Sequence, residues 1–576
     1  MIQSNQRQHL FPLSLLLITS FAIGLIVIFS CYFDNDALFQ VLIPIKRGKL
    51  SLKNIRPYAP LLPSILLIFN PYLDSLIVYI ILGICAGVGT AFLVYWITVS
   101  QTKNRIVGIL CMFMVLVING TQILLRTLDD NLLPLPLVLL SFYLLFVETQ
   151  QPAECQRRLR IFASGLLLSI AIAFHLHTVI LMPLFLFYTF TDYRMQFKHR
   201  MKNSLIVFLG IISFFMPLVF LVMDARGTFS IGSLTTPTAY SPYFHQSKWY
   251  LFAEERTVAE LIDWVFLWFA GMITYNSPFL LFGSPEYYSF AYQGILFFVS
   301  SIIWFGIIVG VPLFFLFKPF QEQKKMNLFV ILGFLVFLMT SIFAFLFAPQ
   351  DPERWALAIP FLVINFGIGL NNISKNKNFW NRFSQKFHIS GFFKGFTRPK
   401  RWVSNNRLFG LLLICLALIK YSAGFAYAIM SPTHNDWPYP NKSIIDDIIQ
   451  NVPENAPLIL GPADDWNMVS YYRFGWTLYI RWDGQLQDAI LWDNGRLSDL
   501  HKLNESSISS MVRIYLDRGI VVFAHEEAIS FLQAQGFDTE YNLTVYKEFK
   551  HWSPLDLIKG ERNPNRIYTL TRPSEG

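Results

Sequence analysis

Apolar residues run along this chain in long unbroken blocks, without the every-third-or-fourth or alternating spacing of half-buried elements in a soluble fold. The blocks fall near 11–31, 75–99, 106–123, 131–147, 161–174, 178–190, 204–223, 293–317, 327–347, 355–371 and 408–430. Several exceed the ~18 apolar residues that cross hydrocarbon, so the pattern predicts about eleven transmembrane helices. The block Phe11 to Cys31 is too long for a signal core, and no small-x-small site follows before Asp34. It therefore reads as a retained first span. A further apolar stretch, Trp264 to Phe282, carries Glu254, Glu255, Glu260 and Asp263 at or before its start. It reads as a helix lying in the interface.

After Ser431 the pattern changes to short apolar runs among Asp, Trp, Tyr and turn residues. Gly519 to Phe523 predicts a buried strand, Glu526 to Gln535 a helix, and Leu543 to Phe549 and Arg566 to Thr571 strands. The expected fold is mainly α: a polytopic membrane protein followed by a small extracytoplasmic α/β domain. Residues 1–430 would form the multi-span part, with outer loops at 32–74 and 224–292, and residues 431–576 the external domain.

Charge gives the orientation. With the amino terminus in the cytoplasm, the inner loops hold Lys103 and Arg105; Arg157, Arg158 and Arg160; Arg194, Lys198, Arg200 and Lys202; Lys318, Lys324 and Lys325; and nine Lys or Arg over 372–407. The short outer loops near 126, 176 and 351 hold almost none, as the positive-inside rule requires. The expected location is the plasma (inner) membrane, with the carboxyl-terminal domain outside. A mean hydropathy of +0.44, with 54% hydrophobic and 14% charged residues, excludes an ordinary soluble protein. The net charge of +9 follows from loop topology and implies no nucleic-acid partner. Five scattered cysteines indicate neither a disulfide framework nor a thiolate metal site.

The first outer loop breaks the charge rule. Asp34 and Asp36 follow the first span directly, and Lys46, Arg47, Lys49, Lys53 and Arg56 come soon after. Carboxylates can simply mark a helix end in water. Joined to misplaced cations, they suit chemistry on a phosphate at the membrane surface, where a carboxylate can serve as general base on a hydroxyl. Arg126, Asp129 and Asp130 follow between the third and fourth spans. On helical geometry they share a face, as a surface ion pair or as acids holding a guanidinium toward an anion.

His175 and His177 sit where the fifth and sixth spans meet. They could cap the turn or bond a ligand's phosphate or sugar. A metal needs a third ligand, and none is evident nearby. Arg354, beside Trp355 before the tenth span, is either an interfacial anchor or a lipid-phosphate contact. Glu286 and Tyr287 could line a sugar pocket. No cofactor is indicated, and the need for a divalent metal stays open. GxxxxGK[ST], GxGxxG, HExxH and GxSxG elements are missing from the sequence, which speaks against cytosolic nucleotide hydrolysis and serine or zinc hydrolase chemistry.

The order of these features resembles the GT-C glycosyltransferases, more narrowly the family-39 protein mannosyltransferase and aminoarabinose transferase branch. Asp36-Ala-Leu-Phe39 stands for the family's D-E-x-x-[YF], with Ala37 replacing the Glu, followed by Gly48 and the Pro-rich Arg56-Pro-Tyr-Ala-Pro-Leu. Arg126-Thr-Leu-Asp129-Asp130 matches the next block, and Ala163-Ser-Gly165 through Ala171 an A-G-L-x-x-G-x-A block. His175 and His177 stand in place of a usual Lys, and Arg354-Trp355 matches a late R-[YF]. The resemblance covers residues 11–370 in order and spacing.

It implies an inverting transferase that moves a sugar from a polyprenyl-phosphate donor to a lipid, glycan or protein acceptor outside the cytoplasm, among membrane lipids. Asp36 or Asp34 would be the base, and Lys46, Arg47, Arg126 and Arg354 the phosphate-binding cations. Asp129, Asp130, His175, His177, Glu286 and Tyr287 would orient substrate. The alternatives are a transporter or flippase of lipid-linked sugars, which would want ionisable groups deep in several spans, or a membrane scaffold with an external sensor domain. The identity of the sugar stays open.

Overall fold

The structure is a computed structural model. It describes residues 59–146, 154–191, 196–227, 257–277, 289–316, 324–347, 352–375, 448–461, 475–482, 484–493, 496–499, 505–549 and 565–573, with a few positions between, among them 41–46 and 473. The spans expected at 11–31 and 408–430 lie outside the described residues, apart from Ser14, Ser20 and Ile23 in the first.

The membrane part is all helical. A short α1 (Leu61–Phe69) precedes α2 (Ser75–Thr102), α3 (Arg105–Val117) and α4 (Asn119–Thr127). Then come α5 (Pro134–Phe146), α6 (Glu154–Phe174), α7 (Met182–Thr191), α8 (Phe197–Arg226) and α9 (Val258–Tyr275). The set closes with α10 (Ser289–Leu316), α11 (Lys324–Leu346) and α12 (Ala358–Lys375). Helices α2, α8, α9 and most of α11 are long and apolar enough to cross a membrane, and shorter apolar helices accompany them.

The helix starts follow ordinary capping chemistry. Asp74 accepts from Leu76 N at 2.8 Å, and Asn104 from Ile106 N at 3.1 Å. Thr257 and Glu260 form a reciprocal capping box at the head of α9.

Helix α12 lies centrally, against α2, α3, α10 and α11. Its contacts rest on small or polar groups: Cys111 on α3 meets the Val363 carbonyl at 3.5 Å, and Asn365 donates to the Val330 carbonyl of α11 at 3.0 Å. Helices α6 and α8 approach at backbone distance. A Cβ on Gly165 would lie 2.4 Å from the Val207 carbonyl, and one on Gly210 2.6 Å from the Phe162 carbonyl. Small residues permit such contact where lipid supplies no hydrophobic drive between helices. Further along, Phe215 N donates to Ser169 Oγ at 2.8 Å. The constant offset, about 45 residues, makes the two helices parallel.

One predicted span is broken. The apolar block 106–123 forms α3, an extended Ile118 (φ −62°, ψ 134°), and then α4. Asn119 N donates not to its own helix but to the Ser277 carbonyl at 3.0 Å, and Asn119 Nδ2 to the Thr274 carbonyl at 3.1 Å. Tertiary bonds thus replace helical ones where hydropathy alone reads continuity. Helix α9 runs antiparallel along the last turns of α11: Trp264 Nε1 donates to the Phe345 carbonyl at 2.6 Å and Trp268 Nε1 to the Ser341 carbonyl at 2.9 Å.

The carboxyl-terminal part is a seven-stranded mixed sheet in the order β4-β3-β2-β1-β5-β7-β6. Its strands are β1 (Leu458–Leu460), β2 (Thr477–Trp482), β3 (Leu486–Asp493), β4 (Arg496–Asp499), β5 (Val522–His525), β6 (Asn542–Phe549) and β7 (Asn565–Thr571). Strand β1 pairs in parallel with β2 and β5, and the outer pairs are antiparallel. Helices α13 (Glu505–Asp517) and α14 (Ile529–Ala534) cover it, burying Ile508, Val512, Leu516, Phe531 and Leu532. Trp492 of β3 belongs to the same buried apolar cluster as the membrane helices, so the sheet is seated on them.

Candidate functional site

At one end of the bundle α4, the turn Asp130–Leu132 after it, the 3-10 turns Leu176–Leu181 and Pro352–Trp355, and α9 pack together beside the end of α11. The turn at 352–355 is pinned from below. Trp355 is fully buried and its Nε1 donates to the Pro349 carbonyl at 3.1 Å. Gly271 of α9 leaves room for that carbonyl, since a Cβ there would lie 2.4 Å from it. Arg354, next in the turn, pairs with Glu353 at 3.6 Å, and both side chains are about one-fifth exposed (22% and 19%).

Asp129 and Asp130 are buried, but not by the helical route. Helix α4 ends at Thr127, and Leu128 adopts a left-handed conformation (φ 46°), so the carboxylates leave the Arg126 helix instead of sharing its face. The Tyr79 hydroxyl, from α2, donates to the Leu128 carbonyl and holds that turn. Asp129 Oδ1 accepts from Asn131 N at 2.7 Å and Asn131 Nδ2 at 2.8 Å, and Asp130 Oδ1 accepts from Asn131 Nδ2 at 3.4 Å.

His175 is extended (φ −155°, ψ 122°) and the 3-10 turn begins at Leu176, so the two imidazoles meet at 4.4 Å, tilted by 62°. His175 Nδ1 accepts from His177 N at 3.4 Å and also contacts His177 Nδ1. Two donors converging on one nitrogen fix the tautomer: His177 carries its proton on Nδ1 and leaves Nε2 a bare acceptor. That Nε2 is buried and has no partner among the described residues. Phe343 of α11 stacks on the ring at 6.1 Å. Burial, with the neighbouring His175 and then Arg354, holds His177 well below the usual histidine range, so the ring is neutral.

The structure therefore brings Arg354, His175, His177 and the Arg126–Asp130 segment to one end. Lys46 closes the turn Ile43–Lys46 with its side chain exposed and is not part of the buried group. Asp34, Asp36, Arg47, Glu286 and Tyr287 lie outside the described residues. Among the described residues no three His, Cys, Asp or Glu gather as a metal site.

Tyr79, Asn119, Asn276 and Phe343 escape a sequence reading. Asn276 is fully buried, donates to the Met272 carbonyl at 2.7 Å and has an unpartnered Oδ1. The one signal for Asn119 and Asn276 is polarity at the edge of an apolar run.

Comparison of the sequence with known protein families and with characterised proteins gives no match. The fold does have solved counterparts. ArnT from Cupriavidus metallidurans bound to undecaprenyl phosphate aligns over 97% of this chain and 97% of its own, at 10% identity and a TM-score of 0.53. The apo state of the same protein aligns over 98% of each chain, again at 10% identity and 0.53. This chain has the GT-C glycosyltransferase fold, built as in ArnT.

Proposed function

We propose that the protein is a membrane glycosyltransferase that takes a sugar from a polyprenyl-phosphate carrier and passes it to an acceptor hydroxyl on the extracytoplasmic side. The observation that carries this is the gathering of Arg354, two imidazoles and the buried Asp129–Asp130 turn at one end of the bundle. The ArnT fold supports it, since the neighbour's own structure holds undecaprenyl phosphate.

In this reading the acceptor oxygen attacks the anomeric carbon as the bond to the phosphate oxygen breaks. The electron pair leaves with the phosphate, and the configuration inverts. Arg354, with Arg126, Lys46 and Arg47, takes up the charge that grows on the leaving phosphate. Pre-placed cations in a water-poor site act there without reorganisation. Asp36 or Asp34 receives the hydroxyl proton.

His177 has a narrower part. A neutral ring with a bare Nε2 can accept from a hydroxyl but cannot donate to a phosphate oxygen. It therefore orients a sugar or acceptor hydroxyl. His175, whose proton sits on Nε2, has the donor and can reach an anion. Asp129 and Asp130 steady the turn after Arg126.

The test is transfer in vesicles supplied with a polyprenyl-phosphate-linked sugar. Asp36→Asn or Asp34→Asn should cost ~10²–10⁴-fold in rate, the usual share of a positioned base. Unchanged transfer in both variants would overturn the base assignment. Absence of any transfer by the wild-type chain across a panel of donors would overturn the enzyme reading.

A further inference from the structure

At the end of the bundle opposite His175, the starts of α6 and α8 and the finish of α7 come together. The parallel packing of α6 and α8 sets Arg157 level with Lys202 and Arg158 with Asn203, with Arg200 less than a turn away. The Thr189 hydroxyl of α7 meets that of Ser204 at 2.9 Å, which closes the group on its third side.

Arg200 is held in a fixed pose. Its Nη1 donates to the Phe190 carbonyl at 3.5 Å and its guanidinium lies 5.9 Å over the Phe197 ring. Phe197 in turn packs edge-on against Phe190 at 5.9 Å. Arg200 Nε is buried and unpartnered. Arg160, Lys198 and His199 extend the basic surface. Directly beneath the cations, α8 exposes Phe197 (60%), Met201 (48%), Leu205 (56%) and Leu209 (46%), one stripe at helical spacing, and α6 adds Leu159 (67%).

A positive rim above an apolar stripe matches a molecule with an anionic head and hydrocarbon tails. We propose that this three-helix corner is a binding site for an anionic phospholipid of the leaflet at that end. Its phosphate sits among Arg157, Arg200 and Lys202, and its chains lie along the α8 stripe. Basic pockets between spans attract such head groups, each cation near the surface adding a similar increment. The proposal does not depend on the transferase reading, since the corner is at the other end of the molecule.

The test uses the full chain, purified and delipidated in detergent and titrated with phosphatidylglycerol or phosphatidylcholine, with bound lipid read by native mass spectrometry. The wild type should retain phosphatidylglycerol at least about tenfold over phosphatidylcholine. The variant R157Q/R200Q/K202Q should lose about fivefold in phosphatidylglycerol affinity per cation removed, with phosphatidylcholine unchanged. K103Q/R105Q, at the same end but on α2 and α3, should bind as the wild type does.

Equal retention by the triple variant overturns the proposal. So does an equal loss in K103Q/R105Q, which would reduce the corner to unspecific rim charge. If the triple variant does not fold, Arg200→Gln and Lys202→Gln singly give the same comparison, each expected about fivefold weaker.

Discussion

At the residue scale, His177 shows how burial assigns a role. Its neutral state follows from removal from water and from the cation at 354, and its acceptor nitrogen follows from two donors meeting at His175. An unfolded histidine titrates near 6.5, whereas this one is held lower. Below about pH 6.5 the unfolded chain therefore takes a proton that the folded one refuses, and stability falls with pH; above it the contribution is complete. Thermal unfolding from pH 8 to 5 should show a loss in the wild type that His177→Gln lacks, with parallel curves as the contrary result. For Arg354, replacement by Gln should lower the transfer rate on the order of 10²-fold, the usual cost of removing one group aimed at developing charge. Arg354→Lys should recover only part, since a point charge lacks the bidentate fork. Initial rates with saturating donor measure both.

At the element scale, the α6–α8 contact makes a prediction whose sign is informative. Gly in a helix interior costs about 0.5–1 kcal/mol relative to Ala, so Gly165→Ala would stabilise α6 if it stood alone. Here the new Cβ would press on the Val207 carbonyl. Overpacking of this kind costs about 1–3 kcal/mol, so a lower unfolding midpoint is expected, and a higher one would contradict the parallel packing.

Most helices were legible because membrane spans obey length and hydropathy, the simplest of sequence signals. The expected spans 75–99, 204–223, 293–317 and 327–347 correspond to α2, α8, α10 and α11. The break at Ile118 was not legible, because it depends on Asn119 reaching the Ser277 carbonyl far along the chain. Neither was the left-handed Leu128, a conformation that nothing about leucine announces. In the external part, strands β5, β6 and β7 were visible as apolar runs, while the β2–β3 hairpin was missed although Asp483-Gly484 is a strong turn signal. At the site, His175, His177 and Arg354 stood out as polar groups at span ends. Their companions Tyr79 and Phe343 look like ordinary apolar-face residues until packing brings them near.

At the scale of the whole molecule, helices and sheet form one seated assembly. Trp492 is buried with the membrane helices and donates to the Arg473 carbonyl at 3.0 Å. Arg473 is itself buried, bonding the Val452 and Ala456 carbonyls at 2.8 and 2.6 Å, and desolvation brings its pKa down to about 10. Trp492→Ala should therefore cost about 3–5 kcal/mol and open the sheet to protease, whereas Trp492→Phe should keep most of the seat; equal cleavage of all three proteins would contradict it. The central claim, that an isoprenoid phosphate is held at the Arg354 end, is tested most directly with a photoreactive polyprenyl phosphate on the reconstituted protein, mapping adducts by mass spectrometry. The account predicts adducts within 119–132, 175–181 and 352–355 that unlabelled polyprenyl phosphate competes away. Adducts confined to other segments, or labelling that resists competition, would contradict it.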